Sequence, residues 1–111
     1  MGVGVATVRR LALALPEATE APHHEMTSFR VAGKIFATMP TEGGRVHVFV
    51  DDAAVDAYRA EFPAAVEELW WGSKRRGCRV VLAHATAPLL RELLTESWRR
   101  RAPKRLAGPD G

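Results

Sequence analysis

Near the amino terminus Val8, Leu11, Ala12 and Leu15 recur at helical spacing, with Thr7 placed to cap the segment and Pro16 to stop it. Beyond Pro16 the period shortens. Ser28–Val31 ("SFRV") and Lys34–Met39 ("KIFATM") flank Ala32-Gly33, where the glycine supplies the positive φ of a tight hairpin turn. A two-residue loop would set Phe29 opposite Phe36 on one face. In "RVHVFV", Val46, Val48 and Val50 alternate with Arg45, His47 and Phe49, as in a strand with one fully buried face. The preceding "TEAPHHEM" is ambiguous. It suits an edge strand, because Pro22 cannot donate a ladder hydrogen bond, but it has no apolar period of its own.

Asp51 or Asp52 then opens a helix that runs to about Phe62, with Val55, Tyr58 and Phe62 as its apolar stripe and Pro63 closing it. "VEELWW" and "CRVVLA" read as two more strands, joined by the glycine-bracketed basic turn "GSKRRG". Thr86 caps a last helix with Pro88 in its first turn. Leu89, Leu90, Leu93, Leu94 and Trp98 line its core side as far as Ala102-Pro103. The predicted order is α-β-β-β-α-β-β-α: a two-layer α+β domain whose five-stranded antiparallel sheet is covered by helices on one face. Residues 1–106 make one domain, and 107–111 are expected to be a flexible tail. Adjacent strand residues point to opposite sides, so Trp70 and Trp71 cannot share one core. At least one is expected on the less covered face as an interaction surface.

Composition narrows the class without changing this picture. The 111 residues are 47% hydrophobic and 26% charged, which suits a folded domain able to hold a core without staples. The single cysteine, Cys78, cannot form an internal bridge, and its alternation with Val80 and Leu82 places it on the inner face. The first residues set their arginines within the apolar run, unlike a signal peptide, so a cytoplasmic protein is expected. No segment approaches the roughly 20 apolar residues that span a bilayer.

Charge carries the candidate chemistry. The net charge of +3 is modest, but cations gather late in the chain, at Lys74–Arg79 and again at Arg99–Arg105, whereas acids concentrate earlier. Lysine and arginine are donor-only groups, and the arginine fork matches phosphate oxygens. Lys74, Arg75, Arg76, Arg79, Arg101, Lys104 and Arg105 are therefore the candidate phosphate contacts, and Gly72 and Gly77 would allow a close backbone approach. The plainer alternative is a solvated hairpin tip and a helix end whose cations oppose the dipole. His23, His24 and Glu25 lie on an extended segment and do not form a chelate, so neither a metal nor a cofactor is expected. No nucleophile signature surrounds Cys78, and Asp51-Asp52 and Glu67-Glu68 read as caps or solvated positions rather than an acid/base couple, which makes an enzyme the less favoured class.

The stretch "LALPEATEAPHHEMTSFRVAGKIFATMPTEGGRVHVFV", the following Asp-led helix, "WWGSKRRGCRVVL" and the leucine-rich helix ending "SWRRRAPKRL" together resemble the MmcQ/YjbR family of small bacterial proteins, from about Val8 to Leu106. The resemblance implies a fold similar to type III secretion chaperones, a DNA-binding role and no assigned reaction. Relatives often carry an aromatic just after the basic turn, where this chain has Cys78, so a stacking role is not carried over to that position. DNA is thus the expected partner, bound with weak sequence preference. The alternative is a protein–protein module, such as a homodimer, that uses Trp70 or Trp71.

Overall fold

A computed structural model describes residues 2–107. Its helices are α1 (Val5–Leu13), α2 (Asp52–Glu61), α3 (Ala87–Arg101) and the single turn α4 (Lys104–Ala107). Its strands are β1 (Ala18–His23), β2 (Met26–Val31), β3 (Lys34–Pro40), β4 (Arg45–Val48), β5 (Val66–Trp71) and β6 (Lys74–Val81). They form one antiparallel sheet in the order β1-β2-β3-β4-β6-β5. The α+β class and the antiparallel sheet are as expected, with six strands in place of five. The sixth is the ambiguous segment: β1 lies at the edge, where the missing amide of Pro22 costs no ladder bond.

Pairing defines the two faces. One row across the sheet runs Phe29, Ala37, Val48, Cys78, and every member is fully buried against residues of α1, α2 and α3 in a single core. The neighbouring row runs Ser28, Thr38, His47, Arg79, Glu67, polar throughout, and forms the less covered face. Helices on one face thus follow from alternation.

Local chemistry sets the boundaries. The Asp51 carboxylate accepts from the Ala54 amide at 2.9 Å and caps α2, and the Thr86 hydroxyl accepts from the Leu89 amide at 3.3 Å and caps α3. Thr7 is not a cap: α1 begins two residues earlier, after Gly4. Ala32 and Gly33 both take positive φ, 52° and 80°, as a two-residue turn matched to strand twist requires. Phe29 pairs with Ala37 rather than Phe36, because a bulge inserts Phe36 as an extra residue in β3. Ser97 of α3 locks that bulge. Fully buried, its hydroxyl donates to the Phe36 carbonyl at 2.6 Å and accepts from the Phe49 amide at 2.9 Å. Trp98 fills the core as expected, and its indole N–H donates to the Pro16 carbonyl at 3.1 Å. Of the expected tail, Ala107 closes α4, and residues 108–111 lie outside the described residues.

Candidate nucleic-acid interface

The basic run is not a turn. Only Gly72 and Ser73 make the connection, with Gly72 at φ 61°, and Lys74, Arg75 and Arg76 already belong to β6. The register shift between Leu69 and Trp70 leaves Arg76 as an extra residue in β6, and this bulge turns Arg75 to the helix side and Arg76 to the other. Arg75 faces α2 and is enclosed by carboxylates. Its Nε donates to Asp52 at 2.9 Å, and its Nη1 donates to Asp56 at 3.0 Å and Glu68 at 2.7 Å. These bonds raise the guanidinium pKa further, and the bond from Arg75 holds the Glu68 carboxyl below its usual range. Arg75 thus joins β6 to α2, and its charge is not available to a polyanion. Glycine at 77 has a different role from the one expected. A Cβ there would lie 2.0 Å from the Val48 carbonyl oxygen, so the close approach is to the chain's own β4.

Arg76 takes the opposite course. Its guanidinium lies 4.8 Å from the Trp71 ring centroid; Trp71 meets Phe49 edge-to-face at 5.5 Å; and Arg101, at the end of α3, lies over the Phe49 ring at 5.4 Å. A cation–aromatic–aromatic–cation array therefore ties the β5–β6 hairpin to the carboxyl-terminal end of α3. Beside it opens a cleft of about 520 Å³ lined by Lys74, Arg75, Arg76, Arg100 and Arg101, with Asp51 and Asp52 on its α2 side. Five cations meet two carboxylates. Asp52 is committed to Arg75, and Asp51 lies 3.7 Å from Arg100. Lys74, Arg76 and Arg101 have no ion-pair partner among the described residues.

The remaining candidates lie elsewhere. Arg79 sits mid-sheet on the polar face, 3.6 Å from Glu67, which Arg45 also holds at 3.0 Å. Arg105 makes two bonds to Glu17, at 3.0 and 3.2 Å, and Lys104 does not line the basic cleft. Trp70 and Trp71, the last residues of the edge strand β5, are both about half exposed, 51% and 53%. Cys78 is buried, and burial pushes its thiol up to about 11. Sequence reasoning overlooked Phe49 and Arg100. Phe49 was already assigned to the outward set of its strand, which was the available signal, whereas nothing local marks Arg100 apart from its neighbours.

A second cleft, of about 760 Å³, crosses the polar face and shares Phe49 and Arg101 with the array. His47 lies within it, its pKa lowered by burial and then by Arg79 and Arg45, with its Nδ1 3.4 Å from the Thr38 hydroxyl.

A family model described as YjbR matches residues 13–100. The chain belongs to the YjbR family. The match runs from the last residue of α1 almost to the end of α3, so it includes every member of the array except Arg101. Among solved structures, this YjbR chain is similar to the crystal structure of Deinococcus radiodurans protein DR2400, which carries the family-model domain DUF419. The TM-score is 0.74 at 24% identity, over 87% of this chain and 77% of that one. That likeness shows the shared fold. No curated protein matches the chain. Among the described residues no helix is long and apolar enough to cross a membrane.

Proposed function

We propose that this YjbR protein is a non-enzymatic DNA-binding protein that grips the phosphate backbone with the β5–β6 hairpin and the end of α3. One observation carries the reading: Lys74, Arg76, Arg100 and Arg101, widely separated in sequence, surround a single cleft, and three of them have no carboxylate partner among the described residues. Such a patch costs energy through self-repulsion unless an anion or counterions occupy it. The carboxylates near it serve structure, with Asp51 capping α2 and Asp52, Asp56 and Glu68 holding Arg75. No helix presents an Asn, Gln and Arg face to base edges, so sequence preference is weak. The same reading places the protein in the cytoplasm.

Mobility-shift titration of duplex DNA at two salt concentrations tests this. With three to four phosphates engaged, the log–log salt slope should be about −3, and Lys74→Glu with Arg76→Glu should abolish the shift. Arg79 and Arg105, occupied by Glu67 and Glu17, should be dispensable. Absence of binding at low salt, or binding untouched by the charge reversals, would sink the proposal. A second reading is favoured by the exposure of Trp70 and Trp71 on an unpaired strand edge, which suits association of two copies along β5. Light scattering would then find a dimer that Trp70→Ser dissociates.

A further inference from the structure

The cleft on the polar face has a chemistry of its own. Among the residues that line it are Arg30, Lys34, His47, Phe49, Trp71 and Arg101, and none of its lining residues is acidic. Its 760 Å³ falls within the roughly 300–1,000 Å³ typical of small-ligand sites. Two cations in it are oriented but not satisfied. The Arg30 Nε donates to the Ser28 hydroxyl at 2.9 Å, and that hydroxyl, fully buried, donates in turn to the Ala21 carbonyl at 2.8 Å. This relay fixes the guanidinium while leaving its terminal amino groups without an acceptor among the described residues. Arg101 is held over Phe49, yet its Nε is buried and has no hydrogen-bond partner. A buried donor in that condition costs the fold its desolvation energy unless an acceptor comes from outside. Beside these donors Trp71, 53% exposed and braced edge-on by Phe49, offers a planar ring that already carries the Arg76 guanidinium 4.8 Å from its centroid, so a bound ring stacks beside Arg76 or takes its place.

We infer that this cleft binds a small anion bearing a planar aromatic ring, of the nucleoside monophosphate class, with its phosphate on Arg30, Lys34 and Arg101 and its base against Trp71. Positive charge without acidic neighbours selects the phosphate, and the tryptophan selects a flat ring. The flanking hydroxyl of Thr38 and the imidazole of His47 supply polar edges for the sugar. The site does not depend on the DNA-binding reading, with which it shares Phe49 and Arg101.

Titration of the full chain with AMP, followed by tryptophan fluorescence, tests the inference. Saturable quenching at sub-millimolar AMP is expected, with adenosine failing to reproduce it and inorganic phosphate competing. Arg30→Gln should weaken AMP at least about tenfold. Lys34→Glu, in an exposed hairpin position that cannot disturb the core, should weaken it several-fold, and both variants should still shift duplex DNA. Lys74→Glu, which lines only the other cleft, should weaken DNA and leave AMP unchanged. No saturable quenching by millimolar AMP, equal binding of adenosine, or AMP binding indifferent to both Arg30→Gln and Lys34→Glu would overturn the inference.

Discussion

Replacing Ser97 by alanine removes one oxygen atom and should cost this small domain a large part of its stability. The hydroxyl satisfies two buried backbone groups at once, the Phe36 carbonyl displaced by the β3 bulge and the Phe49 amide just beyond β4. Neither has a strand partner to turn to, since β4 ends at Val48 and Phe36 is the residue the register skips. Leaving a buried backbone group unpaired costs about 1–3 kcal/mol, so two such groups make the expected loss about 2–6 kcal/mol. Of a typical total near 5–15 kcal/mol that is a substantial share. For a domain of this size it lowers Tm by roughly 10–30 °C. Urea unfolding monitored by tryptophan fluorescence, which reports on buried Trp98, measures the change directly. Ser73→Ala, in the exposed β5–β6 turn, is the matching control and should change stability by less than about 0.5 kcal/mol. A loss below about 0.5 kcal/mol in Ser97→Ala would mean that the bulge does not rely on this hydroxyl. The consequence for function is testable in the same variant. Phe49 borders both clefts, so loosening its amide should also weaken the Trp71–Phe49–Arg101 array and lower DNA affinity.

Other positions give sharper yes-or-no outcomes. Gly77→Ala would set a Cβ 2.0 Å from the Val48 carbonyl oxygen and should destabilise by about 3 kcal/mol or more, seen as a lower urea midpoint; wild-type behaviour would refute the close approach. Ala32→Asn should stabilise by up to about 1 kcal/mol, because asparagine tolerates the positive φ that alanine now occupies at a cost, and a Tm scan would show it. Burial pushes the Cys78 thiol up to about 11, so a thiol reagent at neutral pH should label it only as fast as the domain opens, and immediate labelling of the native protein would contradict its burial. Stability should fall as pH drops below about 6.5, because the His47 pKa is lowered in the fold and the unfolded chain takes up that proton more readily; His47→Gln should remove this first step. A further loss should follow below the ordinary carboxylate value of 4.5, as Glu20, Glu67 and Glu68, held low by Arg9, Arg45 and Arg75, are protonated.

Much of this YjbR fold is written in local periodicity. Alternation and capping residues placed the β2–β3 hairpin, β4, α2 and α3, along with the buried positions of Cys78 and Trp98, because those features depend on neighbours a few residues away. β1 was ambiguous because its residues have no apolar alternation and the strand exists only through its pairing with β2. The start of β6 was missed for a related reason: lysine and arginine between two glycines resemble a turn until Trp70 and Trp71 of β5 pair with them.

For the candidate site the division is the same. Sequence alone supplied the two basic clusters, the exposed tryptophans and the outward set containing Phe49. Which charges remain free was decided in three dimensions, since Asp52 and Asp56 lie 23 and 19 residues from the Arg75 they neutralise, while Arg76, one position on, projects to the other side and stacks on Trp71. Electrostatic energy depends on distance in space and on the dielectric around each charge, and neither can be read from order along the chain. The chain's sequence therefore fixed how much positive charge it carries, and folding decided which part of that charge a partner can reach.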